Sequence, residues 1–269
     1  TDPGVPETPG GGLGTTKRDP AVVRRMFSRI AVPTPFAVGT VNTYVAGRTV
    51  VDPGPASEES WSVLVEGLEA AGLAPEDVER VLVTHPHPDH FGLASRLQEA
   101  GATVVTSPAA AGILADWRGR LEYEQDYFVD FFERCGMARE TATTITRLPD
   151  AYITYAPDVE ADRHVEAGDE LPLDDRSLTV DEVAGHAVGE LVFAFEDEGE
   201  RVAIVGDQVL PEITPNPLLQ PPADPGADRP RVLPAYNDSL DRLKAAGYDR
   251  FLPGHSGEID DPAGRIAEI

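Results

Sequence analysis

The chain has 269 residues, 41% of them hydrophobic, which is enough to bury a core. No apolar run reaches the length of about 18 residues that a membrane span needs. Its 47 acidic residues face only 22 basic ones, a formal net charge of −25, and the lysines are just Lys17 and Lys244. Such a surface repels polyanions in dilute buffer. The arginine bias fits a cytoplasmic protein adapted to concentrated salt, where the Debye length falls to about 3 Å and that repulsion is screened. Charge therefore does not exclude nucleic acid. Cys135 stands alone, which excludes an internal disulfide framework and a zinc site built from cysteines. The opening TDPGVPETPGGG has no basic n-region and no apolar h-region, so it does not read as a secretory leader.

Residues 1–20 are rich in glycine and proline and are expected to be a flexible segment ahead of one domain over 21–269. Val38, Val41, Tyr44 and Val45 read as strand, as does Thr49-Val50-Val51, which Asp52-Pro53-Gly54-Pro55 closes. Glu58 to Gly72 carries Trp61, Leu64, Val65 and Leu68 at helical spacing. Pro75-Glu76-Asp77 opens a short turn, and Val81-Leu82-Val83 is a compact strand ending at Thr84. Helix over Phe91 to Ala100, strand over Thr103 to Thr106 and helix over Pro108 to Asp116 repeat the theme. Glu122 to Cys135 predicts an amphipathic helix with an aromatic stripe: Tyr123, Tyr127, Phe128, Phe131 and Phe132. Packing against the body explains that stripe, and so does the wall of a substrate groove.

The second half is richer in strands. Leu178-Thr179-Val180 with Val183, Leu191 to Phe195 and Val202 to Val205 are apolar runs, the last two joined across the turn Asp197 to Glu200. Pro215 to Pro234 holds seven prolines and reads as a long loop; loops beyond about 12–15 residues are often functional. Helix over Ser239 to Ala246, strand over Phe251-Leu252 and a C-terminal helix from Pro262, cut short at Ile269, complete the chain. Strand-then-helix units before and after about residue 165 point to two sheets packed face to face with helices outside.

Five of the six histidines follow short apolar runs. His85, His87 and His90 fall in Thr84-His85-Pro86-His87-Pro88-Asp89-His90, directly after the Val81–Val83 strand. A strand end fixes the backbone, Pro86 and Pro88 stiffen the loop by fixing φ, and alternate residues of an extended stretch point the same way. His186 and His255 each follow a glycine in a turn, and Asp207 follows Gly206. Imidazole and carboxylate are the ligands that zinc takes at about 2.0–2.2 Å. Four turns that each place such groups at the mouth of a sheet point to metal binding. His164 lacks that context and reads as a surface residue.

Thr84 to His90 resembles the histidine motif of the metallo-β-lactamase superfamily. Asn42-Thr43-Tyr44, Asp52-Pro53-Gly54, Gly185-His186, Gly206-Asp207 and Pro253-Gly254-His255 are similar to its other signatures, in the same order. The resemblance spans residues 36 to 261. It implies an α/β fold, a four-layer αββα sandwich with metals at one edge between the sheets. It also implies that His85, His87 and His186 hold a first metal, that Asp89, His90 and His255 hold a second, and that Asp207 bridges them, with a hydroxide between the ions. Asp89 and Asp207 would then serve the chemistry directly. Asp52 lies outside the ligand pattern and is expected to brace the site by hydrogen bonds. The implied cofactors are two divalent ions, zinc by default, with iron or manganese accepting the same ligands.

Departures from the family pattern narrow the activity. Glu190 stands where many relatives carry a histidine behind the metals. Asp207 occupies the position where the commonest dinuclear β-lactamases carry cysteine, which disfavours antibiotic hydrolysis. His87 replaces the glutamate of the diiron flavoproteins. The 47 residues between Asp207 and His255 leave no room for the extra domain of the large nucleases. The resemblance therefore implies a compact hydrolase similar to glyoxalase II or to the lactamase-like endoribonucleases. The aromatic stripe, without a cluster of basic residues for a polyphosphate, favours a small ester or thioester, although Arg118, Arg120, Arg139 and Arg147 flank it and could meet phosphates. An endoribonuclease or phosphodiesterase, a mononuclear iron persulfide dioxygenase and a non-catalytic metal-binding protein are the alternatives.

Overall fold

The structure is a computed structural model that describes residues 26–147, 150–173, 176–223 and 226–269. The expected flexible segment, residues 1–20, lies outside the described residues. One sheet takes its strands in chain order: β1 (Ser28–Val32), β2 (Val41–Ala46), β3 (Thr49–Val51), β4 (Arg80–Leu82), β5 (Thr103–Thr106) and β6 (Arg163–His164). The first three pair antiparallel and the rest parallel. The second sheet holds β7 (Glu170–Leu173), β8 (Arg176–Val183), β9 (Glu190–Asp197), β10 (Glu200–Gly206) and β11 (Arg250–Pro253), again side by side in that order. Only β10 and β11 pair parallel there. The sheets divide the chain near residue 165, as the repeated units predict.

Side-chain alternation explains why the central strands read as continuous apolar runs. Successive residues of a strand point to opposite faces, and here both faces are covered. Leu82 of β4 packs between the sheets with Tyr44, Val105, Leu191 and Phe193, whereas its neighbours Val81 and Val83 pack outward under helices. On β10, Val202 and Ile204 enter the inter-sheet core, and Ala203 and Val205 face a third cluster. Burying each of these larger aliphatic or aromatic side chains is worth on the order of 1.5–3 kcal/mol.

The helices α1 (Glu58–Ala70), α2 (Pro88–Phe91), α3 (Ala94–Glu99), α4 (Pro108–Ala115), α5 (Trp117–Arg134), α6 (Arg139–Thr146) and α7 (Asp150–Ile153) all follow strands of the first sheet. Leu64 and Leu68 of α1, Leu97 of α3 and Leu114 of α4 cover its outer face. The helices α8 (Val232–Ala246) and α9 (Pro262–Glu268) cover the second sheet with Tyr236, Leu240, Leu243 and Ile266. The four layers are therefore helix, sheet, sheet and helix. Among the described residues no helix is long and apolar enough to cross a membrane.

Several boundaries differ from the sequence reading. The aromatic helix begins at Trp117 rather than Glu122, because the Asp116 carboxylate caps it by accepting from Gly119 N at 2.9 Å. The long loop ends at Arg231, and α8 starts seven residues before Ser239. Pro234 sits in its first turn, where no backbone N–H is required. The helix expected over Phe91 to Ala100 is broken at Gly92-Leu93; Gly92 is pressed so closely on the backbone of Pro55, Ala56 and Tyr155 that a Cβ has no room. Val38 lies in a turn before β2, closed by the Thr34 hydroxyl donating to Gly39 O at 2.6 Å. β7 contains Pro172 and gives no strand signal; it is tolerated because β7 is an edge strand.

Candidate metal centre

His85, His87, Asp89, His90, His186, Asp207 and His255 converge at one edge between the sheets. The Thr84–His90 loop leaves β4, His186 follows β8, Asp207 follows β10 and His255 follows β11. The two sheets are stitched together at this corner: Val41 of β2 bridges to His255, and Asn42 N donates to Gly254 O at 2.7 Å. Gly254 is required by close approach, since a Cβ there would overlap the Asp207 carboxylate and the His90 ring.

The side chains form two triads around a shared carboxylate. His87 Nδ1 lies 3.0 Å from His85 Nε2 and 3.2 Å from His186 Nε2. Asp89 Oδ2 lies 3.4 Å from His255 Nε2 and 4.0 Å from His90 Nε2. Asp207 stands between the triads: Oδ2 is 3.7 Å from His186 Nε2 and 3.3 Å from His255 Nε2, and Oδ1 is 3.5 Å from His90 Nε2. Ligands held at about 2.0–2.1 Å around a tetrahedral zinc are about 3.3 Å apart, so these separations suit a cation in each triad. The atoms are also unpartnered. His90 Nε2, His255 Nε2 and Asp207 Oδ1 are buried and make no hydrogen bond. Leaving such groups unmatched costs about 1–3 kcal/mol each, and a bound cation removes that cost. The residue set therefore fits a metal site.

A second ring of contacts turns the histidines inward. The outer nitrogens each donate to an oxygen: His85 Nδ1 to Thr84 Oγ1 at 3.0 Å, His90 Nδ1 to Asp52 Oδ2 at 2.8 Å, His186 Nδ1 to Asn216 O at 3.2 Å and His255 Nδ1 to Thr40 O at 2.8 Å. That fixes the tautomer and leaves the inner nitrogen free to ligate. Asp52 is the hub. Its carboxylate also accepts from Thr84 N at 2.8 Å and from the Thr84 hydroxyl at 2.6 Å. Asp52, His85 and His90 lie close enough to count as a further ligand group, but three donors already occupy this carboxylate, so it braces the centre. Its φ of 51° is in the left-handed region, strain of the kind that persists at functional sites.

The charge pattern follows from burial and proximity. Burial, with neighbouring His90 and His87, holds His85 well below the usual imidazole range, and burial brings His87 down to about 3. Burial opposes a proton on His255, but the Asp207 and Asp89 carboxylates facing its ring prevail and push it up to about 9. Burial likewise opposes ionisation of Asp89 and Asp207, and His90 and His255 beside them win and hold both below the usual carboxylate range. Glu190 is fully buried; its Oε1 accepts from Asp207 N at 3.2 Å, and its Oε2 has no partner. Burial first and Asp207 second push its carboxyl well above the usual range. Cys135 is exposed, and His164 is an exposed residue of β6.

The roles of Asn42-Thr43-Tyr44 are visible only in the folded chain. Asn42 Nδ2 and Tyr44 OH both donate to Pro253 O, at 2.9 and 2.7 Å, and Thr43 Oγ1 donates to Asp52 O at 2.6 Å. The triplet fastens the His255 turn to the Asp52 turn. Gln220 carries no sequence signal of its own. Thr84 joins Asp52 to His85, whereas Arg120 and Gln220 line a cavity of about 190 Å³ beside His87 and His186.

The fold and this constellation define a metallo-hydrolase scaffold. A family model of the metallo-beta-lactamase superfamily matches residues 37–255, and the chain belongs to that superfamily. It is 28% identical over 234 residues to "Probable metallo-hydrolase YqjP" of Bacillus subtilis (strain 168), covering 86% of this chain and 71% of that protein. A metallo-beta-lactamase family protein from Thermus thermophilus superposes with a TM-score of 0.73 at 27% identity, covering 90% of this chain and 77% of the other. A beta-lactamase domain protein from Burkholderia ambifaria gives 0.69 at 26% identity, covering 94% and 76%. The subclass B3 enzyme BJP-1 of Bradyrhizobium japonicum, at 0.58 and 20% identity over 87% and 76%, is a likeness of fold alone.

Proposed function

We propose that the chain is a dinuclear metal-dependent hydrolase acting on a small ester or thioester. The observation that carries this reading is the pair of ligand triads sharing the Asp207 carboxylate, with buried, unpartnered atoms aimed at their centre. In it, His85, His87 and His186 hold one divalent ion, Asp89, His90 and His255 hold the other, and Asp207 contacts both. Ions bound there would lower the pKa of water and polarise a carbonyl or phosphoryl oxygen. Asp52 keeps His90 oriented, directly through Oδ2, and His85 through Thr84. Asp89 and Asp207, held ionised by the neighbouring histidines, would supply the negative charge that offsets the ions. Trp117, Ile113 and Val188 give the adjoining cavity an apolar wall that limits water.

The size of that cavity favours a small reacting group. Arg120, which lines the same cavity as His87 and His186, is paired with Glu124 Oε1 at 2.6 Å, so the smaller cavity is not a polyanion groove. A phosphodiester is the second reading, supported by Arg118 and Arg147 in the wall of a neighbouring cavity. Metal analysis of protein purified without chelator should return close to two ions per chain, and restored zinc, manganese or iron should support turnover of esters or thioesters. One tightly held ion that cannot be raised to two, with Asp89→Asn and His255→Ala leaving it in place, rejects the dinuclear assignment. Cleavage of short single-stranded RNA, lost in His87→Ala and without turnover of any acyl substrate, selects the second reading.

A further inference from the structure

A second, larger cavity of about 620 Å³ lies outside the smaller one. Its apolar wall is Leu121, Phe128 and Phe132 of α5, Ile153 of α7, and Leu218 and Leu219 of the proline-rich strap. The two cavities are neighbours, with Glu124, Leu218 and Leu219 lining both. The strap is pinned on either side of this junction. Asn216 O accepts from His186 Nδ1 at 3.2 Å, and Pro222 O accepts from Tyr123 OH at 2.9 Å. The pin at Asn216 reaches a residue of the metal centre, and the pin at Pro222 reaches the aromatic helix. Leu218 and Leu219 hang between them and are 43% and 48% exposed.

The two volumes suit different parts of one molecule. A ligand pocket that buries most of a drug-sized molecule holds roughly 300–1,000 Å³. The outer cavity falls in that range, and the inner one suits only the reacting group. The inner cavity also offers a polar handle: Gln220 Nε2 is shielded from solvent and has no hydrogen-bond partner. An apolar wall joined to a polar pocket beside the histidines is the shape of a carbonyl compound with a greasy tail. Exposed leucines over such a wall mark a surface that gains by being covered.

We propose that the outer cavity between α5, α6, α7 and the Leu218-Leu219 strap receives the apolar acyl arm of the substrate, whose carbonyl lies in the inner cavity beside His87 and His186. This inference rests on the ester or thioester reading above and narrows it to substrates with an extended aliphatic acyl chain. Burial of each CH₂ should tighten binding about threefold to fourfold until the cavity is full.

The test separates the cavity from the chemistry by measuring binding. Calorimetric titration of the full chain with sodium acetate, hexanoate and decanoate should show affinity rising along the series, with decanoate at least a hundredfold tighter than acetate. Thr146→Trp fills the outer cavity from α6 and should weaken decanoate at least tenfold. Thr143→Trp, on the same face and exposed, is the independent blocking variant should the first fail to fold. With metal restored, both variants should also lower the ratio of decanoyl to acetyl ester kcat/KM. Equal affinity for acetate and decanoate overturns the inference, as does decanoate binding that neither variant alters. Tighter binding of a nucleoside monophosphate than of decanoate, competing at the same two threonine positions, assigns the cavity to a base and likewise overturns it. Decanoate binding that both variants block, in a protein that turns over no ester or thioester, keeps the cavity assignment and removes the ester reading.

Discussion

Glu190 stands behind the cluster of histidines, and burial pushes its carboxyl well above the usual range. It is wholly buried, and its side chain accepts the Asp207 backbone N–H. Glu190→Gln preserves that acceptor and the neutral state. It should therefore leave the melting temperature and metal content close to those of the parent. Glu190→Ala strands the Asp207 N–H in the interior, which costs about 1–3 kcal/mol, and loosens the carboxylate placed between the triads. Parallel melts with metal analysis check the pair. Equal damage from both substitutions would mean that Glu190 works as an ionised group.

At the scale of elements, two features that are far apart in the chain become one structure. The aromatic helix α5 and the proline-rich strap meet through Tyr123 OH and Pro222 O. They are two walls of the same pair of cavities. Tyr123→Phe removes one partly buried hydrogen bond, worth about 0.5–1.5 kcal/mol. The loss falls on the strap, because Tyr123 keeps its ring contact with Tyr127 at 6.5 Å. Amides of Leu218, Leu219 and Gln220 should exchange about twofold to tenfold faster in this variant, with little change in global melting. Unchanged exchange at all three amides would show that the Asn216 contact alone holds the strap.

For the whole molecule the dominant long-range term is charge. The formal net charge of −25 sits on a surface where several arginines are held in local pairs, such as Arg139 with Asp130 and Glu133 and Arg250 with Glu200 and Glu258. The excess carboxylates repel one another, and salt shortens the range of that repulsion from about 10 Å at 0.1 M to about 3 Å at 1 M. Raising potassium chloride from about 0.1 to about 2 M should lift the melting temperature by ~5 °C or more, on the order of 2 kcal/mol at this size. This is the behaviour expected of a salt-adapted protein, and a flat or falling profile would remove that reading.

The candidate ligands were legible as a group because the His85–His90 stretch, His186, Asp207 and His255 each come soon after a strand, β4, β8, β10 and β11. Val81–Val83, Leu191–Phe195 and Val202–Val205 read as apolar runs since both faces of the sheets are covered, and the order of the histidine and aspartate turns points to a shared edge. The weaker elements were not legible for the same kind of reason. β1, β6 and β7 are edge strands with no more than two buried positions each, too few for a continuous apolar run. What only the tertiary structure decided is how the turns are coupled. Asp52 reaches His90 across 38 residues, Tyr44 reaches Pro253 across 209, and Tyr123 reaches Pro222 across 99. Periodicity reports which face of an element is buried, but it carries no information about which distant element lies opposite. The bracing of the centre, the unpartnered Gln220 amide and the outer cavity are all made by such meetings, and they exist only once the two sheets and their helices have closed on one another.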